Sequence, residues 1–333
     1  MRVSLVSIAA LALTGCLSGT PPPTTIVPPG TSGSGSTGST SASSSGTGGS
    51  TGNTRVAEWN IEFFGKSDAG PIDDALQTTN VATEVAQLAP DLMAFEEVCD
   101  TTDFAQVVST LSTQTSHPYA SIVANDPSLG NAYANFGGSW GQKTALVWRT
   151  DFATLVSGQL VYRTDIDGLW GSTFAARDPL ELQLQLASGG TLYVIAVHLK
   201  SEVDPASYQE RVQESADLKA YLDLAHANDA VMVIGDWNDD LDGSITTGEP
   251  SPFMNFVDAG SSYRFATQPL AASHQTTLVN YTGHPIDHHM INAALFGNLI
   301  PGSAAIIQPS IQNYGRTTSD HYPTVVEYRF PYL

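Results

Sequence analysis

The chain of 333 residues carries a formal charge of −20, from 33 acidic and 13 basic side chains, and has two cysteines. Such an acidic chain lacks the broad basic face of a passive nucleic-acid binder, although an enzyme that reaches phosphate through bound cations stays open. Cysteines at 16 and 99 alone supply no disulfide framework, so the fold has to stand on its core, with Cys99 a small buried side chain.

In chain order, the first segment is Met1–Cys16, with one basic residue, Arg2, and an apolar run from Val3 to Leu13. The run is too short for an ordinary transmembrane helix and reads as an export signal. Its ending, Leu13-Thr14-Gly15-Cys16, resembles the lipobox of bacterial lipoproteins, which implies cleavage before Cys16 and lipidation of that cysteine. Residues 17–53 are mostly Ser, Thr, Gly and Pro without a charged side chain, so they are expected to be a disordered linker. As a flexible coil such a linker spans about 35 Å. Residues 54–333 follow without a second linker or an internal repeat, and are read as one large domain.

Within this domain apolar and β-branched runs predict strands at Arg55–Ile61, Leu92–Glu96, Tyr119–Ala124, Lys143–Trp148, Leu180–Leu186, Leu192–Val197, Ala230–Ile234, Ile286–Ile291 and Thr324–Tyr328. Helices are predicted at Ala75–Leu88, Phe104–Ser112 and Pro205–Ala227, the last opened by the N-cap and first-turn pair Asp204-Pro205. Strands outnumber helices, which indicates mixed α/β architecture rather than a regular parallel repeat.

Polar residues gather where these strands end: Asn60; Glu96 and Glu97; His198; Asp236 and Asn238; Asp287; and, ahead of the last strand, Asp320 and His321. Any one of them is an ordinary turn residue. Together they form a set of carboxylates, amides and imidazoles without a thiolate, which suits hard cations such as Mg²⁺ or Mn²⁺. His288 and His289 look like a metal pair, but adjacent strand residues point to opposite faces.

The strings W-N-I-E (59–62), F-E-E-V (95–98), V-H-L-K-S (197–201), G-D-W-N (235–238), I-D-H (286–288) and S-D-H (319–321) resemble, in order, the motifs of the endonuclease/exonuclease/phosphatase superfamily, to which deoxyribonuclease I belongs. The resemblance spans nearly all of 55–330. It implies a four-layer α/β/β/α sandwich of two stacked mixed β-sheets flanked by helices. It also implies roles: Asp236 orients or deprotonates the attacking water, Asn238 bonds that water or a phosphate oxygen, and His198 bonds phosphate or protonates the leaving oxygen. His321 is the second catalytic histidine, oriented by Asp287. Glu97, Asn60 and Asp320 belong to the metal site. Glu96 stands where the family often has glutamine, and strand alternation is expected to turn it away from the site.

Arg177 and Arg211 are candidate phosphate-binding residues; for Arg177 the alternative is a strand-leading salt bridge. Residues 238–249 have the spacing of a twelve-residue calcium loop, with Asp240, Asp242, Ser244 and Glu249 as donors; the alternative is an acidic surface loop. The expected protein is a monomeric, divalent-metal-dependent phosphoesterase, lipid-anchored at the outer membrane or cell surface, or released. Its expected substrate is DNA or RNA. Competing readings are a phosphatase or sphingomyelinase-like enzyme acting on small phosphoesters or lipids, and a non-enzymatic display domain.

Overall fold

Strand Thr54–Phe64 (β1) runs parallel to Leu92–Val98 (β2) and antiparallel to the last strand of the chain, Thr324–Tyr328 (β12). The order β11-β12-β1-β2-β4-β3 is completed by Tyr119–Val123 (β3), Lys143–Arg149 (β4) and Ala305–Ile306 (β11). A second sheet has the order β5-β6-β7-β8-β10-β9, from Ala153–Leu160 (β5), Leu180–Leu186 (β6), Thr191–His198 (β7), Val231–Asp236 (β8), Tyr263–Phe265 (β9) and Asp287–Asn292 (β10). These elements come from a computed structural model that describes residues 53–129, 141–161, 174 and 177–330. The expected signal, linker and Cys16 lie outside the described residues.

The two sheets stack face to face. Val56, Leu92, Ala94 and Leu146 of the first meet Leu182, Val194, Ala196, Met232 and Ile234 of the second in one apolar layer. The alternate residues pack outward. Ala57, Trp59, Met93 and Phe95 face the helices Asp74–Leu88 (α1) and Thr101–Thr115 (α2); Ile195, Val197 and Val233 face Pro205–Ala225 (α3). This is the α/β/β/α sandwich, and strand alternation builds it directly.

The predicted strands all form, and the three predicted helices form with longer or shifted ends. Three strands were not predicted. β9 and β11 span three residues and two, and β5 is an edge strand whose exposed Thr154, Val156 and Ser157 blur the alternation. Each long helix is capped by aspartate: Asp73 accepts from Leu76 N, Asp100 from Thr102 N and Asp103 N, and Asp204 from Ala206 N and Ser207 N.

Helix α3 presents two kinds of inner face. Its second half buries Leu218, Tyr221 and Leu222, whereas its first turns bury Arg211 and Glu214. Glu214 Oε2 accepts from Lys200 N at 2.9 Å, and burial pushes this carboxyl up to about 8. Such a group stabilises the fold fully below its unfolded pKa near 4.3, and that contribution is lost as pH rises to the folded value. Unfolding free energy measured by urea titration should therefore fall between pH 5 and pH 8 and level off above, with Glu214→Gln removing on the order of a few kcal/mol of that fall.

Candidate active site

The site collects at one edge of the stacked sheets, because parallel β7 and β8 deliver their C-terminal ends where antiparallel β10 delivers its start. His198 pairs with Asp236 across β7 and β8, and Asp236 pairs with Asp287 across β8 and β10. Three chemically active side chains thus stand in one row on neighbouring strands, about 5 Å apart along the sheet. Gly235 makes the row possible. A Cβ there, at φ +144°, would lie 2.1 Å from Val197 O and 2.9 Å from Glu96 Oε1 of the facing sheet. Trp237 turns the other way, into edge-on packing with Phe253, Phe256 and Phe265. The apolar strand therefore ends in carboxylates with its indole anchored in the outer layer.

The first sheet contributes Asn60 and Glu97. Asn60 Nδ2 donates to Asp236 Oδ2 at 3.0 Å and to Glu97 Oε1 at 3.3 Å, while its Oδ1 accepts from Glu62 N at 3.0 Å. The amide thus bridges the two carboxylates at the edge of the site. Glu96 also corrects its expectation. It follows Leu92 and Ala94 onto the face between the sheets and is fully buried beside Asp236 and Asp287. Glu97 reaches the site because a bulge interrupts the alternation: its φ is +63° and both neighbouring ladders shift register around it.

His321, placed just before β12, holds the centre. Its Nδ1–H donates to Asp287 Oδ2 at 3.0 Å, and its Nε2 stands 3.9 Å from Asp236 Oδ2. Burial alone would lower the pKa of this imidazole, but Asp287, Asp236 and Asp320 outweigh it and hold the group well above its ordinary value, as an imidazolium. His198 goes the other way. Burial, then Arg177 and His321, push it well below its ordinary value. Its Nε2 lies 3.5 Å from Asp236 Oδ2 and 3.9 Å from Glu97 Oε1, and its Nδ1 has no hydrogen-bond partner among the described residues.

Two buried carboxyls behind this row escaped sequence reasoning. Glu58 Oε2 accepts from Thr324 Oγ1 at 2.9 Å. Burial, then the charges of Asp287 and Glu96, raise Glu58 well above the usual carboxylate range, and burial and Asp236 do the same to Glu96. The available signal was the spacing of Glu58, two residues before Asn60 on one strand face.

The remaining candidates divide. Asp320 is exposed at the mouth, where its charge raises Glu97 and Glu62. Arg177 is brought close enough to lower His198, with its Nη atoms on Gln142 Oε1 at 3.0 Å and Leu199 O at 2.7 Å. Asn238 docks its Nδ2 on Leu199 O at 3.0 Å, and its backbone N–H bonds Asp236 Oδ1 at 2.8 Å. Arg211 is no phosphate clamp. Fully buried, it donates to Asp239 Oδ2 at 2.8 Å, to Thr246 Oγ1 at 3.2 Å and to the carbonyls of Lys200 and Glu202 at 2.9 and 2.7 Å. The calcium-loop donors do not converge. Asp242 and Glu249 are exposed, Asp240 is spent on Leu241 N and His284 Nδ1, and the Ser244 hydroxyl bonds Asp239. His288 and His289 take opposite faces, on Asp239 O and Thr324 Oγ1.

Asp236, Asp287 and His321 bring three ligand-type atoms within 4.8 Å. Within that trio His321 Nδ1 is held by Asp287 Oδ2 at 3.0 Å. A divalent cation fits better on the Glu97 side. There burial and the charge of Asp320 raise Glu97, and burial, Asp320 and Glu97 push Glu62 up to about 7, so an added positive charge would relieve both.

Residues 57–321 match the profile described as the endonuclease/exonuclease/phosphatase family. The chain belongs to this family, whose members hydrolyse phosphodiester bonds with divalent metals. Solved structures share the fold. The human Nocturnin catalytic domain with bound sulfate anion is 19% identical with a TM-score of 0.59, covering 84% of this chain and 95% of its own. Danio rerio TDP2 complexed with single strand DNA product is 16% identical with a TM-score of 0.55, covering 84% and 99%. A family protein from Bacteroides thetaiotaomicron is 14% identical with a TM-score of 0.56, covering 84% and 95%. A comparison with curated protein sequences finds no significant match.

Replacing Arg211 by Met should cost about 3 kcal/mol or more in unfolding free energy, because Asp239 is left buried and unpaired. A phosphate-binding arginine would instead raise KM with stability unchanged, and denaturant titration beside kinetics separates the two.

Proposed function

We propose that the protein is a divalent-metal-dependent phosphodiesterase and, within that class, a nuclease acting on DNA or RNA outside the cytoplasm. One observation carries the chemistry: the His321–Asp287 pair faces a second carboxylate, Asp236, at 3.9 Å, with Glu97 alongside. Asp236, fixed by Asn60 Nδ2 and Asn238 N, takes the proton of the attacking water. The His321 imidazolium donates from Nε2 to the phosphoryl group, stabilises the charge that develops there and gives its proton to the leaving oxygen as the P–O bond to it breaks. Neutral His198 adds a second donor without a proton to give up. Glu97 and Asp320 would hold the divalent ion, Mg²⁺ or Mn²⁺, which when bound neutralises charge on the phosphoryl oxygens. Support for a nucleic-acid substrate comes from the DNA product in the TDP2 structure and the sulfate, a tetrahedral dianion, in the Nocturnin structure.

Purified protein should be offered plasmid DNA, RNA, sphingomyelin and a phosphomonoester in parallel with Mg²⁺ or Mn²⁺. Cleavage of DNA or RNA is expected, and His198→Ala, Asp236→Ala and His321→Ala should each lower its rate about 10²–10⁴-fold. Glu97→Gln should raise the Mg²⁺ needed for half-maximal rate. Full activity in EDTA, or hydrolysis confined to the monoester or the lipid, defeats the assignment.

The location rests on the first 53 residues. Cys16 follows Leu13-Thr14-Gly15, and Leu17, not aspartate, comes next, which by resemblance to lipoproteins of bacteria with two membranes favours the outer one. Cys16→Ser should abolish incorporation of labelled fatty acid and free the protein from the membrane fraction or leave it as precursor. Fatty-acid labelling that persists in this variant excludes the anchor.

A further inference from the structure

Glu97 owes its position to backbone geometry that something has to hold. Phe95 and Val98 of β2 pair with Ala145 and Lys143 of β4, so three steps along β2 face two along β4. The extra residue is Glu97, in the left-handed region at φ +63°. β1 leaves regular geometry at the same level: after Asn60 pairs with Glu96, Phe64 pairs with Val98, and between them Glu62 and Phe63 take φ values of +42° and +45°. Residues with a Cβ avoid this region.

On the β1 side the irregularity is tied down by Phe63 N on Glu97 Oε2 at 2.8 Å, and by Cys99 N and Asp100 N on Phe64 O at 3.0 Å each. On the β4 side three carbonyls stand around the end of the ladder, where Val98 pairs with Lys143. There the half-buried Lys143 turns its ammonium onto them, donating to Cys99 O at 3.0 Å, Val98 O at 3.3 Å and Gly141 O at 2.7 Å. An ammonium has three donors, and all three are spent on carbonyls. Among the described residues no carboxylate forms a salt bridge with it. Its contacts therefore point to the two residues that follow Glu97 and not to a substrate.

We infer that Lys143 is a positioning residue for the metal carboxylate: by gathering the carbonyls at the exit of the bulge, it fixes the turn that aims Glu97 and so sets the affinity for the divalent ion. The inference rests on Glu97 as a metal ligand. Lys143→Met keeps the length of the side chain and removes the donors, whereas Lys143→Arg keeps charge and donors. Mn²⁺ binding should be followed by electron paramagnetic resonance on the protein without substrate, beside the Mg²⁺ dependence of the rate. Lys143→Met should weaken Mn²⁺ binding about 10-fold, as for residues that orient metal ligands, and raise the half-saturating Mg²⁺ equally, with kcat at saturating Mg²⁺ close to the parent. Lys143→Arg should recover most of the affinity. Parent-like Mn²⁺ affinity in Lys143→Met, with Glu97→Gln strongly weakened, overturns the role of Lys143. Unchanged affinity in Glu97→Gln instead overturns the metal assignment of Glu97. If Lys143→Met does not fold, Lys143→Gln, with two amide protons, should bind Mn²⁺ with intermediate affinity, and parent-like affinity in it overturns the inference.

Discussion

Negative charge buried between two sheets is the constraint on which the rest of the structure depends. Asp236 and Asp287 are fully or almost fully buried, and Glu58 and Glu96 lie behind them. An unpaired carboxylate in such a place is costly. The structure meets the cost in three ways. Asp287 is paired with His321, Asp236 receives hydrogen bonds from Asn60 and Asn238, and burial raises Glu58 and Glu96 well above the usual carboxylate range. One more positive charge is wanted on the Glu97 side, where the carboxyls remain raised. The same imbalance that burdens the fold favours a cation beside Asp236.

The scaffold around the row converts that electrostatic arrangement into fixed geometry. Trp237 sits among phenylalanines in the outer layer while Asp236 and Asn238 face inward, so the turn at the end of β8 cannot rotate without opening an aromatic cluster. Arg211 joins the loop after β7 to the loop after β8 through buried hydrogen bonds to Glu202 O and Asp239. His198 and Asp236 precede these two loops, and their spacing inherits the rigidity of the clamp.

Much of this was legible in the sequence, since local strings carry local geometry. G-D-W-N announced a strand ending in a turn, and S-D-H placed a histidine just before a strand. Asp204-Pro205 marked a helix start that the structure reproduces. What stayed hidden depends on registers and partners distant in sequence. Alternation relative to Glu97 assigned Glu96 away from the site, yet Glu96 follows Leu92 and Ala94 inward, and only the bulge in the β1 and β4 ladders brings Glu97 to the site as well. Arg211 looked free for phosphate because its partners, at 202, 239 and 246, come together only in three dimensions. The acidic run at 238–249 matched a calcium-loop spacing, yet its carboxylates serve backbone N–H groups, His284 and Arg211 or face solvent.

The chain's last strand lies beside its first. Trp59 Nε1 donates to His321 O at 3.0 Å across 262 positions, and Ser319 Oγ donates to Asn60 O at 2.7 Å across 259. Contacts this distant in sequence are among the slowest to form. A polypeptide emerging from the ribosome therefore carries Asp236 and Glu97 well before it owns the imidazole that completes the cluster.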